Sequence, residues 1–269
     1  MRALGEPAVL AALSLCAGAG MATLVGGIAV LRPRILGPRL LGFGLSFAAG
    51  AMVYIALVEI LAKSTQGFYD TYAHAQQAAG AATAAFFAGL ALMALLGRII
   101  PHPEDEAMAG LPDSVPQAQL RRVGVFAAMA IIAHNIPEGM VTFFAALAEP
   151  AQGLPLVLAI ALHNIPEGLA IAIPVYFATH RRRDALLLCL IAALAEPLGA
   201  VLGYLILQPW LSPFVFAILF GVIAGVMVYL ALLELLPAAQ KLASPRELAG
   251  GLIGGMAVIA TSLVLMRPA

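Results

Sequence analysis

The sequence predicts an all-α integral membrane protein with eight transmembrane helices related by an inverted-topology repeat. Three observations predict this fold: an apolar composition, a one-sided distribution of positive charge, and two pairs of similar segments. The 269 residues are 62% hydrophobic and 10% charged, whereas a soluble domain carries about 25% charged residues. So few charges do not cover the surface of a soluble fold, and lipid is therefore the expected surroundings.

Eight apolar stretches have about the 20 residues that a helix needs to cross a bilayer. The predicted spans are residues 8–31, 36–62, 79–98, 122–147, 154–178, 184–207, 213–238 and 247–266. The longest polar stretch is a predicted cytoplasmic loop at about 99–121, which is too short to fold alone. We therefore expect a single transmembrane domain over residues 1–269.

Positive charges are concentrated in the loops on one side of these spans. Of the 14 lysine and arginine residues, all but Arg2, Lys63 and Arg267 lie in the loops on that side. Because cytoplasmic loops carry the excess of Lys and Arg, both termini are predicted on the periplasmic or outer side. The formal net charge is zero, which gives no case for a nucleic-acid partner.

Two internal similarities predict the repeat. Residues 49–59 in span 2 read AGAMVYIALVE, and residues 224–234 in span 7 read AGVMVYLALLE. Spans 4 and 5 each contain the hexapeptide HNIPEG. Because both pairs join spans of opposite direction, they agree with one axis in the membrane plane. Transporters built this way hold their substrate near the midplane, where the halves meet.

The hexapeptides occupy residues 134–139 and 163–168, and each combines three ligand types. On a helical wheel of about 100° per residue, Glu138 lies about 40° from His134, between that histidine and Asn135. The glutamate can therefore join the histidine at one metal position and the asparagine at a second. The second copy offers the same set from an antiparallel helix, so the two glutamates are expected to bridge two positions.

A third acid, Glu196, precedes Pro197 in span 6, and no lysine or arginine lies in the middle of any span. Intramembrane carboxylates are costly, so they must be protonated, hydrated or balanced by a bound cation. Imidazole with carboxylate favours zinc, manganese, iron(II), cobalt or nickel over magnesium and calcium. The alternative interpretation is that each histidine and asparagine makes a helix-packing hydrogen bond.

With these signatures, the chain resembles the ZIP (Zrt-, Irt-like) divalent metal transporters, in particular their bacterial ZupT-type branch. The resemblance implies uptake of zinc, and often iron, manganese, cobalt or cadmium, across the inner membrane. It implies neither catalysis nor a resident cofactor. The expected partners are divalent metal ions and membrane lipid. The oligomeric state stays open between a monomer and a homodimer. It also implies a binuclear site between spans 4, 5 and 6. The first position would use His134, Glu138, His163 and Glu167, and the second Asn135, Asn164 and Glu196, with Glu138 and Glu167 shared.

Glu59 and Glu234 lie toward the ends of spans 2 and 7. They are candidate entry and exit ligands on the metal path. The alternative is that both are ordinary interfacial acids, because end positions cost less than central ones.

Two other functions compete with metal transport. An intramembrane metal-dependent enzyme would need His-Glu-x-x-His, but Asn135 and Asn164 stand where that glutamate would be. A proton- or sodium-linked carrier would use the carboxylates without metal. The histidines at helical spacing from each glutamate argue against that carrier.

Overall fold

The computed structural model describes residues 6–32, 38–72, 74–99, 132, 135–147, 150–210 and 212–266. Within these ranges the chain forms helices and no strand, so the predicted all-α fold class is confirmed. The helices are α1 (Pro7–Gly27, then a 3₁₀ turn at Ile28–Leu31), α2 (Pro38–Tyr54, a π-helical segment at Ile55–Ile60, then Leu61–Tyr69), α3 (Ala75–Ile99), α4 (residues 135–147), α5 (Pro150–Thr179), α6 (Arg182–Leu207), α7 (Pro213–Leu230, a π-helical segment at Ala231–Leu235, then Leu236–Gln240) and α8 (Pro245–Met266).

Among the described residues, six helices are long and apolar enough to cross a membrane, which makes this a multi-pass membrane protein. They cover Pro7–Leu31, Arg39–Tyr69, Ala75–Gly97, Arg182–Leu207, Pro213–Gln240 and Pro245–Leu265. Helix α5 contributes a further apolar helical stretch among the described residues, Val157–Ile173. The division into eight spans and one domain stays a prediction. The predicted cytoplasmic loop lies outside the described residues, apart from Ile99 at its start.

Helix packing repeats the sequence similarity between spans 2 and 7. Helix α2 packs against α8, and α7 packs against α3. In both pairs a glycine allows one backbone to approach so closely that a Cβ atom there would overlap the other backbone, as small residues do at membrane helix contacts. The equivalent contacts are Gly50 with Leu252 and Gly255 with Phe47 in one pair, and Gly225 with Phe86 and Gly89 with Val222 in the other.

Helices α1 and α6 lie against each other and run antiparallel. Gly20 of α1 contacts Ala193, whereas Gly27, further along α1, contacts Cys189, which comes earlier in α6. The two helices have equivalent neighbours, because α1 packs on the hexapeptide helix α5 and α6 packs on the hexapeptide helix α4. Equivalent helices of opposite direction are what an inverted repeat requires.

The π-helical segments of α2 and α7 also occupy equivalent places. They cover the ends of the two similar stretches, 49–59 and 224–234, so Glu59 and Glu234 each lie within a π-helical segment. Single π-helical turns inside α-helices occur frequently at functional sites.

The largest buried cluster extends from the hexapeptide helices to α1, α2 and α7. Phe143 of α4 packs edge-on against Tyr204 of α6 with ring centroids 5.5 Å apart. Phe144 packs in the same way on Phe216 of α7, also at 5.5 Å. Edge-to-face aromatic pairs have a defined geometry, and here they hold α4 between α6 and α7 just beyond the first hexapeptide.

Candidate metal centre

Helices α4 and α5 bring residues of the two hexapeptides together. His163 Nε2 is hydrogen-bonded to Glu138 Oε1 and lies 3.9 Å from Glu167 Oε1. Ligand atoms of these three side chains all lie within 4.8 Å of one another, and all three side chains are buried. Zinc bonds of about 2 Å separate its ligand atoms by about 3 to 4 Å. The three side chains can therefore close on one divalent ion with little movement.

His134, the fourth predicted ligand of the first position, lies outside the described residues. Its place beside Glu138 stays a prediction.

Asn135, Asn164 and Glu196 form a second buried group, which joins α4, α5 and α6. Asn164 Nδ2 donates hydrogen bonds to Glu196 Oε1 at 2.5 Å and to the carbonyl of Ala19 at 2.9 Å. Asn135 Nδ2 donates to the carbonyl of Ala192 at 3.1 Å. Each amide nitrogen is therefore anchored to a neighbouring helix, which fixes the orientation of its side chain.

The oxygen atoms of this second group are available for another partner. Asn135 Oδ1, Asn164 Oδ1 and Glu196 Oε2 are buried and have no hydrogen-bond partner among the described residues. Most buried side-chain polar atoms in proteins are hydrogen-bonded. Helix-packing hydrogen bonds thus account for the amide nitrogens of both asparagines but not for the three oxygens, which are of the type that coordinates metal ions.

The glycine that ends each hexapeptide sets the distance to the next helix. A Cβ atom on Gly139 would overlap the carbonyl oxygen of Glu196, and one on Gly168 would overlap the carbonyl oxygen of Thr23. Glycine is therefore required at both positions by close backbone approach. This contact between α4 and α6 brings Glu196 beside the first hexapeptide.

The equivalence of α1 and α6 in the repeat includes one cysteine thiol on each helix. Cys16 Sγ lies 3.5 Å from the carbonyl oxygen of Gly139, and Cys189 Sγ lies 3.5 Å from that of Gly168. The sequence similarities between spans 2 and 7 and between spans 4 and 5 do not reveal this third pair. The available signal was a shared spacing of cysteine, alanine and glycine, which are common residues in membrane helices.

The centre has a strong excess of potential negative charge. Glu138, Glu167 and Glu196 are at most 1% exposed, and no lysine or arginine is buried in the described part of the chain. Removing each ionised carboxylate from water costs several kcal/mol unless another charge compensates it. Two divalent cations would compensate the three carboxylates.

The two candidate entry and exit residues lie apart from this group. Glu59 Oε1 is 3.5 Å from Lys63 Nζ, with both side chains largely buried, and Glu234 is half-buried. Neither belongs to the cluster of metal-ligand atoms found among the described residues. Their role on the metal path stays a prediction.

Comparison with known proteins agrees with this fold. Residues 100–262 match the family model described as ZIP Zinc transporter. The chain is 53% identical over 258 residues to a protein of Neisseria meningitidis serogroup B named Zinc transporter ZupT, covering 95% of this chain and 96% of that protein. Proteins of the same name from Stenotrophomonas maltophilia K279a and Chlorobium limicola are 48% and 43% identical, each over 95% of this chain and 96% and 98% of theirs. With this identity over nearly its whole length, the chain belongs to the ZIP family of zinc transporters.

Proposed function

We propose that the protein carries divalent transition-metal ions, zinc foremost, across the inner membrane of a bacterium into the cytoplasm. The observation that carries this proposal is the buried group of Glu138, His163 and Glu167, with ligand atoms within 4.8 Å of one another. The ZIP family consists of transporters and not of enzymes, and relatives at 43–53% identity are named zinc transporters.

The first metal position consists of His134, Glu138, His163 and Glu167. Imidazole and carboxylate together suit zinc, iron(II), manganese and cobalt, and cadmium is expected to follow the same path. The metal ion is the substrate here, and no resident cofactor is required. Without thiolate ligands the set differs from tight structural zinc sites, which suits an ion that has to leave again.

The second position consists of Asn135, Asn164 and Glu196, with Glu138 and Glu167 shared between the two positions. Its support is the set of buried oxygens that have no hydrogen-bond partner among the described residues. A second ion there would compensate Glu196 and stabilise both shared carboxylates. It would therefore influence how tightly the first ion is held.

In this mechanism an ion enters from the outer side, exchanges its water for the buried ligands, and is released inward when the halves of the repeat move. Protons can neutralise the carboxylates that the ion leaves behind. Both termini lie on the outer side in this arrangement, which rests on the distribution of lysine and arginine. Membrane lipid surrounds the apolar helices, and the mechanism works equally in a monomer and in a homodimer.

Radioactive zinc uptake into proteoliposomes tests the proposal. Glu138→Gln and Glu167→Gln keep the side-chain shape but remove the shared charge, so each should lower uptake by about 100-fold. Asp70→Asn is the matched control, because Asp70 is exposed at the end of α2 and its variant should transport as the wild type does. Wild-type rates in either glutamate variant would contradict the shared-ligand site. Zinc binding without uptake by the wild-type protein would contradict transport itself.

A further inference from the structure

Thr23, near the C-terminal end of α1, differs from every other threonine of the described helices. The other five all donate a hydrogen bond from the side chain to the carbonyl four residues earlier, as threonine commonly does in helices. They are Thr65, Thr83, Thr142, Thr179 and Thr261. Thr23 is fully buried, yet its Oγ1 has no hydrogen-bond partner among the described residues.

The reason lies in the carbonyl that Thr23 would use. The carbonyl oxygen of Ala19 accepts the backbone N–H of the α1 turn and, in addition, Asn164 Nδ2 at 2.9 Å. A carbonyl oxygen has two lone pairs, and these two donors occupy them. The hydroxyl of Thr23 is thereby excluded from its usual acceptor, at the unfavourable cost of a buried polar group without a partner.

The inverted repeat makes Thr23 the counterpart of Glu196. Thr23 lies one turn after Ala19, which anchors one asparagine, and Glu196 lies one turn after Ala192, which anchors the other. Their own carbonyl oxygens occupy equivalent places against Gly168 and Gly139.

Glu196 accepts a hydrogen bond from Asn164. The repeat therefore predicts that Thr23 lies beside Asn135 in the same way that Glu196 lies beside Asn164. Asn135 Oδ1 and Thr23 Oγ1 are both buried oxygens that no described residue satisfies, so the two halves each offer an amide oxygen and a second oxygen.

We propose that the hydroxyl of Thr23 is a further metal ligand of the second position and helps to set metal preference. This rests on the transport function proposed above. A hydroxyl adds a hard oxygen without adding charge, so it favours manganese, which prefers oxygen ligands, over zinc. With full symmetry, the second position would have two carboxylates of its own. With Thr23 in place of one of them it has only Glu196, so the ion is bound less tightly and can exchange.

The test compares Thr23→Val, which keeps the shape and removes the hydroxyl, with Thr23→Ser, which keeps the hydroxyl. Zinc uptake is measured in proteoliposomes with increasing manganese, and binding of each metal is measured by calorimetry on the solubilised protein. Thr23→Val should weaken manganese binding and inhibition by about tenfold and zinc binding less. Thr23→Ser should behave as the wild type. Thr65→Val is the control, because it removes a hydroxyl that is bonded only to its own helix.

If Thr23 had only a structural role, Thr23→Val would lower the unfolding temperature of the metal-free protein. Because its hydroxyl has no hydrogen-bond partner among the described residues, we expect no such decrease. An unchanged ratio of manganese to zinc affinity in both Thr23→Val and Thr23→Ala would overturn the proposal, as would a wild type whose zinc uptake manganese does not inhibit. Full uptake by Glu138→Gln would instead overturn the transport site itself, so the two failures are distinguishable.

Discussion

The two halves of the repeat share their backbone contacts but not their chemistry. Gly139 against α6 and Gly168 against α1 are equivalent contacts, as are the two asparagine anchors on Ala192 and Ala19. At the next turn one half has a carboxylate in Glu196, and the other has a neutral hydroxyl. The helix contacts are thus duplicated in the two halves, whereas the side chains that follow them at the centre are not. The site proposed above therefore draws a charged oxygen from one half and a neutral oxygen from the other.

The largest effect is expected from breaking the shared contacts. Gly139→Ala and Gly168→Ala each place a Cβ atom on a backbone carbonyl oxygen. Overpacking of this kind costs about 1 to 3 kcal/mol or more, so both variants should unfold at lower temperature and lose most zinc uptake. Thermal unfolding in detergent and uptake in proteoliposomes measure this.

Gly18→Ala and Gly80→Ala are the matched controls for the glycine variants, because a Cβ atom at either position meets nothing within 4 Å. If Gly139→Ala were as stable as these controls while Gly168→Ala was not, the two contacts would not be equivalent.

A smaller, unequal effect is expected from the two asparagines. Asn164→Leu loses two donated hydrogen bonds, one of them to Glu196, whereas Asn135→Leu loses the single bond to Ala192. Without metal, we expect a loss of about 2 kcal/mol for Asn164→Leu and about 1 kcal/mol for Asn135→Leu. Chemical unfolding in a chelator gives the values. Equal losses would mean that Glu196 does not make the halves unequal.

The smallest effect is expected from the two thiols. Cys16→Ala and Cys189→Ala each remove one weak S–H···O contact of 3.5 Å and little volume. Because buried cysteine acts mainly as a small apolar residue, each should cost about 1 kcal/mol or less and leave zinc uptake intact. Loss of zinc binding in either variant would show that a thiolate serves as a ligand, contrary to the proposed set.

Much of the fold could be predicted from the sequence because it is determined by properties of the side chains. Apolar length predicts the helices, and the repeated hexapeptides bring His163 to Glu138. The anchors of the asparagines were not predictable, since Ala19 and Ala192 act through backbone carbonyls that leave no mark in the sequence. Thr23 was missed for a related reason. A single threonine in an apolar helix usually bonds to its own helix, and only the packing of Asn164 shows that this one does not.

The π-helical segments of α2 and α7 were also beyond prediction, because the same apolar residues form ordinary α-helix elsewhere in the chain. The two similar stretches do predict that α2 and α7 have the same local helix geometry. Both segments contain the conspicuous glutamate of their stretch, Glu59 or Glu234. The location of an irregular turn was thus implied only by the position of an acid in an apolar helix.

The inverted repeat has a bearing on the direction of flow. Its two copies present equivalent backbone contacts in opposite orientations, and neither these contacts nor the differing side chains can fix a direction at equilibrium. By detailed balance, the net flux through a carrier follows the difference in free metal concentration unless another gradient is coupled to it. Accumulation inside the cell then depends on how strongly cytoplasmic ligands keep the free ion scarce.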